Sequence, residues 1–298
     1  ELHVKFSNKY VTKEFVVNMK QFDYDQSKRG RLKKALGKDR KEFNRAYIRE
    51  HGWKGFYYYL QTQMDPHYAD YNLWLKRHGT SRKELKRQRE YRFPYEPLIS
   101  VVIPLYNTPL EYLREILDSL LGQTYSRLEI CLADGSTKAE VGEFIQKKYA
   151  GEARIKYKKL EENRGISQNT NEALALASGD YIMLSDHDDV VAPDALFEIV
   201  KTLNKNTDTD IVYTDEDKVT MDGKQYFEPS FKPDFNLDLL RSNNYICHIF
   251  VVKKSIMDEI GGFRKEFDGA QDFDLILRCV EKSKVIAHVP RILYHWRS

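Results

Sequence analysis

Between residues 98 and 213, apolar runs of strand length alternate with segments whose apolar side chains recur every three to four positions. The runs predict strands over Ser100–Pro104, Leu128–Ala133, Arg154–Lys158, Tyr181–Ser185 and Asp210–Tyr213. The periodic segments predict helices over Leu110–Leu121, Lys138–Tyr149, Ile166–Ala177 and Asp194–Leu203. Such alternation indicates an α/β domain with a mostly parallel sheet. The first 97 residues show no strand rhythm. They give short helical patterns at Arg40–Arg49, Trp53–Gln63, Tyr68–Arg77 and Ser81–Arg89, punctuated by Gly37, Gly52, Pro66 and Gly79. Ser81 followed by Glu84 fits a capping box opening the last of them. The expected organisation is a helical extension over 1–97 and an α/β domain over 98–298, with Trp53, Phe56, Tyr57, Tyr58, Tyr59, Tyr68, Tyr71 and Trp74 cementing the extension to its neighbour.

Charge sharpens that division. The net charge of +3 over 298 residues conceals a split: residues 1–97 carry 23 Lys and Arg against 12 Asp and Glu, and the remainder is acidic. Anionic lipid is one expected partner of the basic segment, at about 1 kcal/mol per well-placed cation; no nucleic-acid motif accompanies it. No apolar run approaches the roughly 18 residues that a membrane span requires. No signal peptide is visible and the first residue is Glu, which suits a piece of a longer chain. Cys131, Cys247 and Cys279 are widely spaced in apolar runs and read as reduced core thiols. The expected location is the cytoplasm, with contact at the inner membrane face through the basic segment.

In an open α/β sheet, ligands gather beyond the carboxyl ends of the strands. The first strand is followed by Tyr106-Asn107-Thr108, the second by Asp134-Gly135-Ser136 and the fourth by Asp186-His187-Asp188-Asp189. The last cluster is either solvated or neutralised, because desolvated unpaired charge costs several kcal/mol. Hard carboxylate oxygens two residues apart suit Mg²⁺ or Mn²⁺ bridging a diphosphate; the plain alternative is a solvated loop capping the helix at Asp194. Downstream, Asp272 or Asp274 either caps a helix or serves as a general base for an alcohol. No G-x-x-x-x-G-K-[ST], G-x-G-x-x-G or G-x-S-x-G motif occurs, which argues against an ATPase, an ordinary dinucleotide dehydrogenase and a serine hydrolase.

The ordered blocks resemble the nucleotide-sugar-dependent family-2 glycosyltransferases of the GT-A fold, which implies a Rossmann-like mixed, mostly parallel sheet flanked by helices. These blocks are Ser100-Val101-Val102-Ile103-Pro104-Leu105-Tyr106-Asn107, Ala133-Asp134-Gly135-Ser136, Asn163-Arg164-Gly165-Ile166, Asp186-His187-Asp188-Asp189, Gln271-Asp272-Phe273-Asp274 and Leu293-Tyr294-His295-Trp296-Arg297. The later ones resemble the bacterial branch that builds surface polysaccharides, rhamnose-containing ones included.

The resemblance implies a UDP- or dTDP-linked sugar donor contacted by Pro104, Tyr106, Asn107, Asp134, Arg164, Gly165 and Asp186. Tyr106 would stack on the base and Asp134 would accept its N–H. It also implies Mn²⁺ or Mg²⁺ held by Asp186, Asp188 and His295, and Asp272 as the general base. The expected reaction is an inverting, non-processive transfer to a hydroxyl of a saccharide or lipid-linked acceptor. The chain departs from the family pattern at Gln271, where Glu is common, and at Ala133. The absence of Q-x-x-R-W sets it apart from processive membrane synthases. The competing reading is a non-catalytic carbohydrate- or nucleotide-binding module on the same fold.

Overall fold

The computed structural model describes residues 2–7, 12–17, 36–37, 40–64 and 71–298, which belong to two compact units, Glu1–Asp70 and Tyr71–Ser298. The first unit is not wholly helical. Strands β1 (Leu2–Ser7) and β2 (Thr12–Val17) pair antiparallel, with Leu2 opposite Val17. Their alternation is too short to stand out in the sequence without the pairing. Helix α1 (Lys41–Met64) breaks at Gly52, whose φ of 69° suits glycine, so the two periodic segments there form two arms. Their rings pack on one another: Tyr47 lies 5.0 Å from Tyr59, and Phe56 stacks on Tyr59 at 5.8 Å. Trp53 is exposed, and Tyr68 lies outside the described residues.

The second unit opens with α2 (Tyr71–His78) and α3 (Arg82–Glu90), so these two helices stand with the sheet rather than with the extension. Ser81 Oγ accepts the Glu84 N–H at 3.2 Å, the expected N-cap. The chain then alternates through β3 (Ile99–Leu105), α4 (Leu110–Leu121), β4 (Leu128–Asp134), α5 (Glu140–Lys148), β5 (Ile155–Lys159), α6 (Ile166–Leu174) and β6 (Tyr181–Leu184). These strands form a parallel array in the order β5-β4-β3-β6. Beyond β6 the alternation gives way to β7 (Val190–Val191), α7 (Ala195–Lys205), β8 (Ile211–Val219), β9 (Tyr226–Ser230), α8 (Leu237–Ser242), β10 (Phe250–Lys253), α9 (Lys254–Ile260), α10 (Gln271–Lys282) and β11 (Ile286–Arg297). The sheet continues β6-β10-β8-β11-β7, with β9 on β8, and β10 runs antiparallel to both its neighbours. The sheet is therefore mixed, with a parallel half and a largely antiparallel half.

Alternation along β3 sends Val101 and Ile103 to one face and Val102 to the other, and each face has its own core. Leu113, Ile116, Leu117 and Leu120, spaced as one stripe of α4, cover the first face; Leu275, Ile276 and Cys279 of α10 cover the second. Each such fully buried aliphatic side chain contributes roughly 1.5–3 kcal/mol. Two buried cores hold the strands rigid, and the polar loops leave from their ends. Cys131 and Cys279 are buried free thiols and Cys247 is a half-buried one. Among the described residues, no helix is long and apolar enough to cross a membrane.

Candidate functional site

Parallel register brings the ends of β3 and β4 level, with Leu105 opposite Asp134. Tyr106 follows, 45% exposed and free to meet a planar ligand. Asn107 adopts a left-handed φ of 49°, which asparagine tolerates, and ties the two loops together. Its N–H donates to Ser136 Oγ at 2.8 Å, and its Oδ1 accepts from the Thr137 N–H and hydroxyl at 3.1 Å. Asp134 is fully enclosed. Its Oδ1 accepts the Ser136 N–H at 2.8 Å, its Oδ2 accepts the Tyr157 hydroxyl at 2.7 Å, and Lys159 Nζ stands 3.6 Å away. Burial, then the bond to Asp134, pushes the Tyr157 phenol up, so it stays a donor. Arg164 points outward in a pair with Glu162. Gly165 opens α6 at φ +95°, where a Cβ would meet Asp268 Oδ2 at 2.8 Å. Only glycine fits there without moving the loop before α10.

The carboxylate loop after β6 is fastened by the last strand. Tyr294 donates its hydroxyl to Asp189 Oδ2 at 2.6 Å and accepts the Asp186 N–H at 3.0 Å. Arg297 donates its N–H to Asp189 Oδ1 at 2.7 Å and its Nε to the Asp188 carbonyl at 2.5 Å. Burial, reinforced by Asp186, raises Asp189 to about 7 against these donors. Asp189 is thus the inward anchor of the loop, and Asp186 and Asp188 are its outward carboxylates, with side chains 43% and 38% exposed.

His248 is the histidine facing Asp186. It stands just before β10, whose Phe250 pairs with Leu184, and its Nε2 lies 3.3 Å from Asp186 Oδ2. The peptide that follows it is cis. Burial opposes its protonation, but Asp186, Asp272 and Asp189 outweigh that and raise it to about 9. In return, although burial pushes Asp186 up, the His248 charge holds it below the usual carboxylate range. Asp272, half-buried in the first turn of α10, is pushed up by burial and by Asp186, with His248 pulling the other way. One electrostatic unit thus joins the end of β6, the start of β10 and the start of α10. Neither aspartate caps α10 with its side chain; Asp274 pairs instead with Arg264 and, at 2.7 Å, with Arg278.

His295, which the resemblance assigns to the cation, lies opposite Val190, just past the carboxylate loop, and its ring turns to Asp217. Its Nδ1 bonds Asp217 Oδ1 at 2.6 Å, and Tyr71 donates to the other oxygen of Asp217 at 2.5 Å. Parallel pairing sets His295 against Asp217, and the edge of Tyr226 closes the ring in at 4.6 Å. Among the described residues, no three His, Cys, Asp or Glu side chains are grouped to hold a metal. The pattern overlooked His248 because it lies inside an apolar run, between Cys247 and Ile249, and only the register shows what it faces. The Tyr294 and Arg297 clamp was on view in the last block but reads there as unspecific.

Comparison with known proteins decides the family. The family model described as "Glycosyl transferase family 2" matches residues 100–261, more than half of the chain. The chain belongs to glycosyl transferase family 2. It is 34% identical over 234 residues to the O-antigen biosynthesis protein RfbC of Myxococcus xanthus, covering 78% of this chain and 18% of RfbC. The chain therefore matches less than a fifth of that relative's length. Among solved structures, S. aureus TarS residues 1–349 in complex with UDP-GlcNAc superposes with a TM-score of 0.56 at 21% identity, covering 67% of this chain and 58% of TarS. The mannosyltransferase PcManGT of Pyrobaculum calidifontis, in complex with GDP-Man and Mn²⁺, gives 0.53 at 18% identity, covering 75% of this chain and 63% of PcManGT. At such identities these structures show the GT-A-like fold alone.

Proposed function

We propose that this glycosyltransferase moves a sugar from a UDP- or dTDP-linked donor to a hydroxyl of a saccharide or lipid-linked acceptor, with inversion, in assembly of a bacterial surface polysaccharide. The observation that carries the reading is the pairing of Asp186 with His248 beside the part-exposed Asp188 on the loop after β6, with the half-buried Asp272 of α10 within their electrostatic reach. The names of RfbC and TarS's UDP-GlcNAc complex support the polysaccharide and donor assignments.

In this mechanism Tyr106 stacks on the base, and Asn107, Asp134, Tyr157 and Pro104 shape the pocket beneath it. Arg164 and Gly165 close its side. Asp186 and Asp188 offer hard, part-exposed carboxylate oxygens, the donors Mg²⁺ or Mn²⁺ prefers, and would hold such an ion. When bound, that ion stabilises the charge developing on the departing diphosphate. Asp272 takes the proton from the acceptor hydroxyl as its oxygen attacks the anomeric carbon opposite the diphosphate; its raised affinity for protons suits that task. His295 would join the metal shell only after leaving Asp217. The basic segment would hold the enzyme at the cytoplasmic face of an anionic membrane.

The test is a panel of UDP-, dTDP- and GDP-sugars with Mn²⁺ or with chelator, the released sugar or product being read by NMR for anomeric configuration. Turnover that needs the ion and inverts the configuration is expected. Retention, or turnover of no nucleotide sugar, overturns the proposal.

A further inference from the structure

The chemistry above uses Asp186 and leaves the group that faces it without a task. His248 lies flat against Tyr294 at 4.8 Å and edge-on to Trp296 at 6.0 Å, and its Nε2 reaches Asp186. Its Nδ1 is buried without a hydrogen-bond partner, a cost that packing alone does not explain. The turn carrying it is fastened from beneath. Lys232, 7% exposed, donates Nζ to the carbonyls of Ile246 at 2.6 Å and His248 at 2.5 Å. The same ammonium lies 3.2 Å from Glu216 Oε2, which also accepts the His248 N–H at 3.1 Å. A buried ammonium persists only with such partners, and these sit around His248. An ion pair built into the interior therefore supports the ring whose nitrogen meets the Asp186 carboxylate.

We infer that His248 is a positioning residue of the donor site: mounted on Lys232 and Glu216, it pairs with Asp186 and fixes the direction in which that carboxylate meets a nucleoside diphosphate. An exposed carboxylate left to rotate loses that freedom when ligand binds; one already held does not. The inference rests on the nucleotide-sugar reading.

Three substitutions separate this role from a structural one. H248Q keeps an N–H near the place of Nε2, H248N keeps one only near Nδ1, and H248F keeps the stacked ring while removing both nitrogens. UDP binding in Mn²⁺ is measured by calorimetry beside the melting temperature of each variant. The expected loss of affinity is about tenfold in H248N and H248F, as for a lost bond to a charged group, and under about threefold in H248Q. H248F, which no longer buries the unpartnered nitrogen, is expected to melt no lower than the wild type. A long-range ¹H–¹⁵N spectrum should show the His248 Nε2 signal moving in D186N and staying in D134N. Wild-type affinity in H248F, losses that follow melting temperature alone, or a signal indifferent to D186N would each overturn the inference. A wild type that binds none of UDP, dTDP and GDP breaks the nucleotide-sugar reading and takes this inference with it. The spectrum still reports in that case whether the pair exists.

Discussion

In the parallel half of the sheet, β5-β4-β3-β6, the site residues leave the strand ends on loops. In the other half, β10-β8-β11-β7, charged side chains sit within or beside the strands and pair across them. Tyr106, Asn107, Asp134, Asp186 and Asp188 belong to the first arrangement. The Asp217–His295 and Glu216–Lys232 pairs, with His248, belong to the second. Tyr106 and Asn107 stand on loops tied by a few local hydrogen bonds, whereas a buried pair is held or broken as a whole. The first half can therefore change specificity while the second keeps the carboxylates aimed.

Four experiments test that contrast, from the largest effect to the smallest. D272N should lower transfer by about 10²–10⁴-fold, the usual share of a general base, while leaving UDP affinity intact. Near-normal transfer, read with the donor found by the panel, would remove Asp272 from that role. K232M should destabilise by about 3–5 kcal/mol in denaturant unfolding, because Glu216 keeps its charge in a half-closed site. A loss below about 1 kcal/mol, the range of exposed ion pairs, would show that the pair is solvated.

The third test concerns pH. Burial pushes Glu129 of β4 up, but Lys156, Ser100 and Ser178 outweigh it and bring the carboxyl down to about 2. Glu129 takes up its proton at lower pH when folded than when unfolded. Its stabilisation is therefore full above about pH 4.5 and is lost as pH falls through about 2. E129Q should flatten the unfolding free energy across that window; an unchanged slope means the pairing contributes nothing. The mildest change is Y157F, which strips one donor from enclosed Asp134. It should cost about 1–3 kcal/mol of stability, with UDP affinity falling in step. If stability falls and UDP binding does not, Asp134 supports the loop without touching the base.

The parallel half was legible because each strand there is a run of apolar residues ended by polar ones. Ser100–Pro104, Leu128–Ala133 and Tyr181–Ser185 lie within a residue or two of the observed β3, β4 and β6. The site residues on those loops could be named from the same pattern. The antiparallel half was not legible in this way. Asp215, Asp217 and Lys218 read as a polar break after Tyr213, yet β8 continues to Val219, because Asp215 and Asp217 find partners in His288, His295 and Tyr71. Charge in a strand is intelligible only once the neighbour is known, and sequence order does not disclose that β11 lies beside β8. The same ignorance hid His248, whose meaning depends on a pairing between β10 and β6. The hairpin of β1 and β2 escaped for a related reason: each strand is six residues long, and its partner supplies most of the evidence for it.

The clamp of Tyr294 and Arg297 on the carboxylate loop has a consequence for the order in which the protein becomes competent. During synthesis the loop at residues 186–189 leaves the ribosome about a hundred residues before the strand that fastens it. Until β11 inserts beside β8, Asp189 lacks both of these donors and nothing from the last strand holds Asp186 in place. A nascent chain can therefore complete its parallel sheet early and still be unable to grip a donor. A chain cut before β11 lacks this clamp and should be inert rather than weakly active.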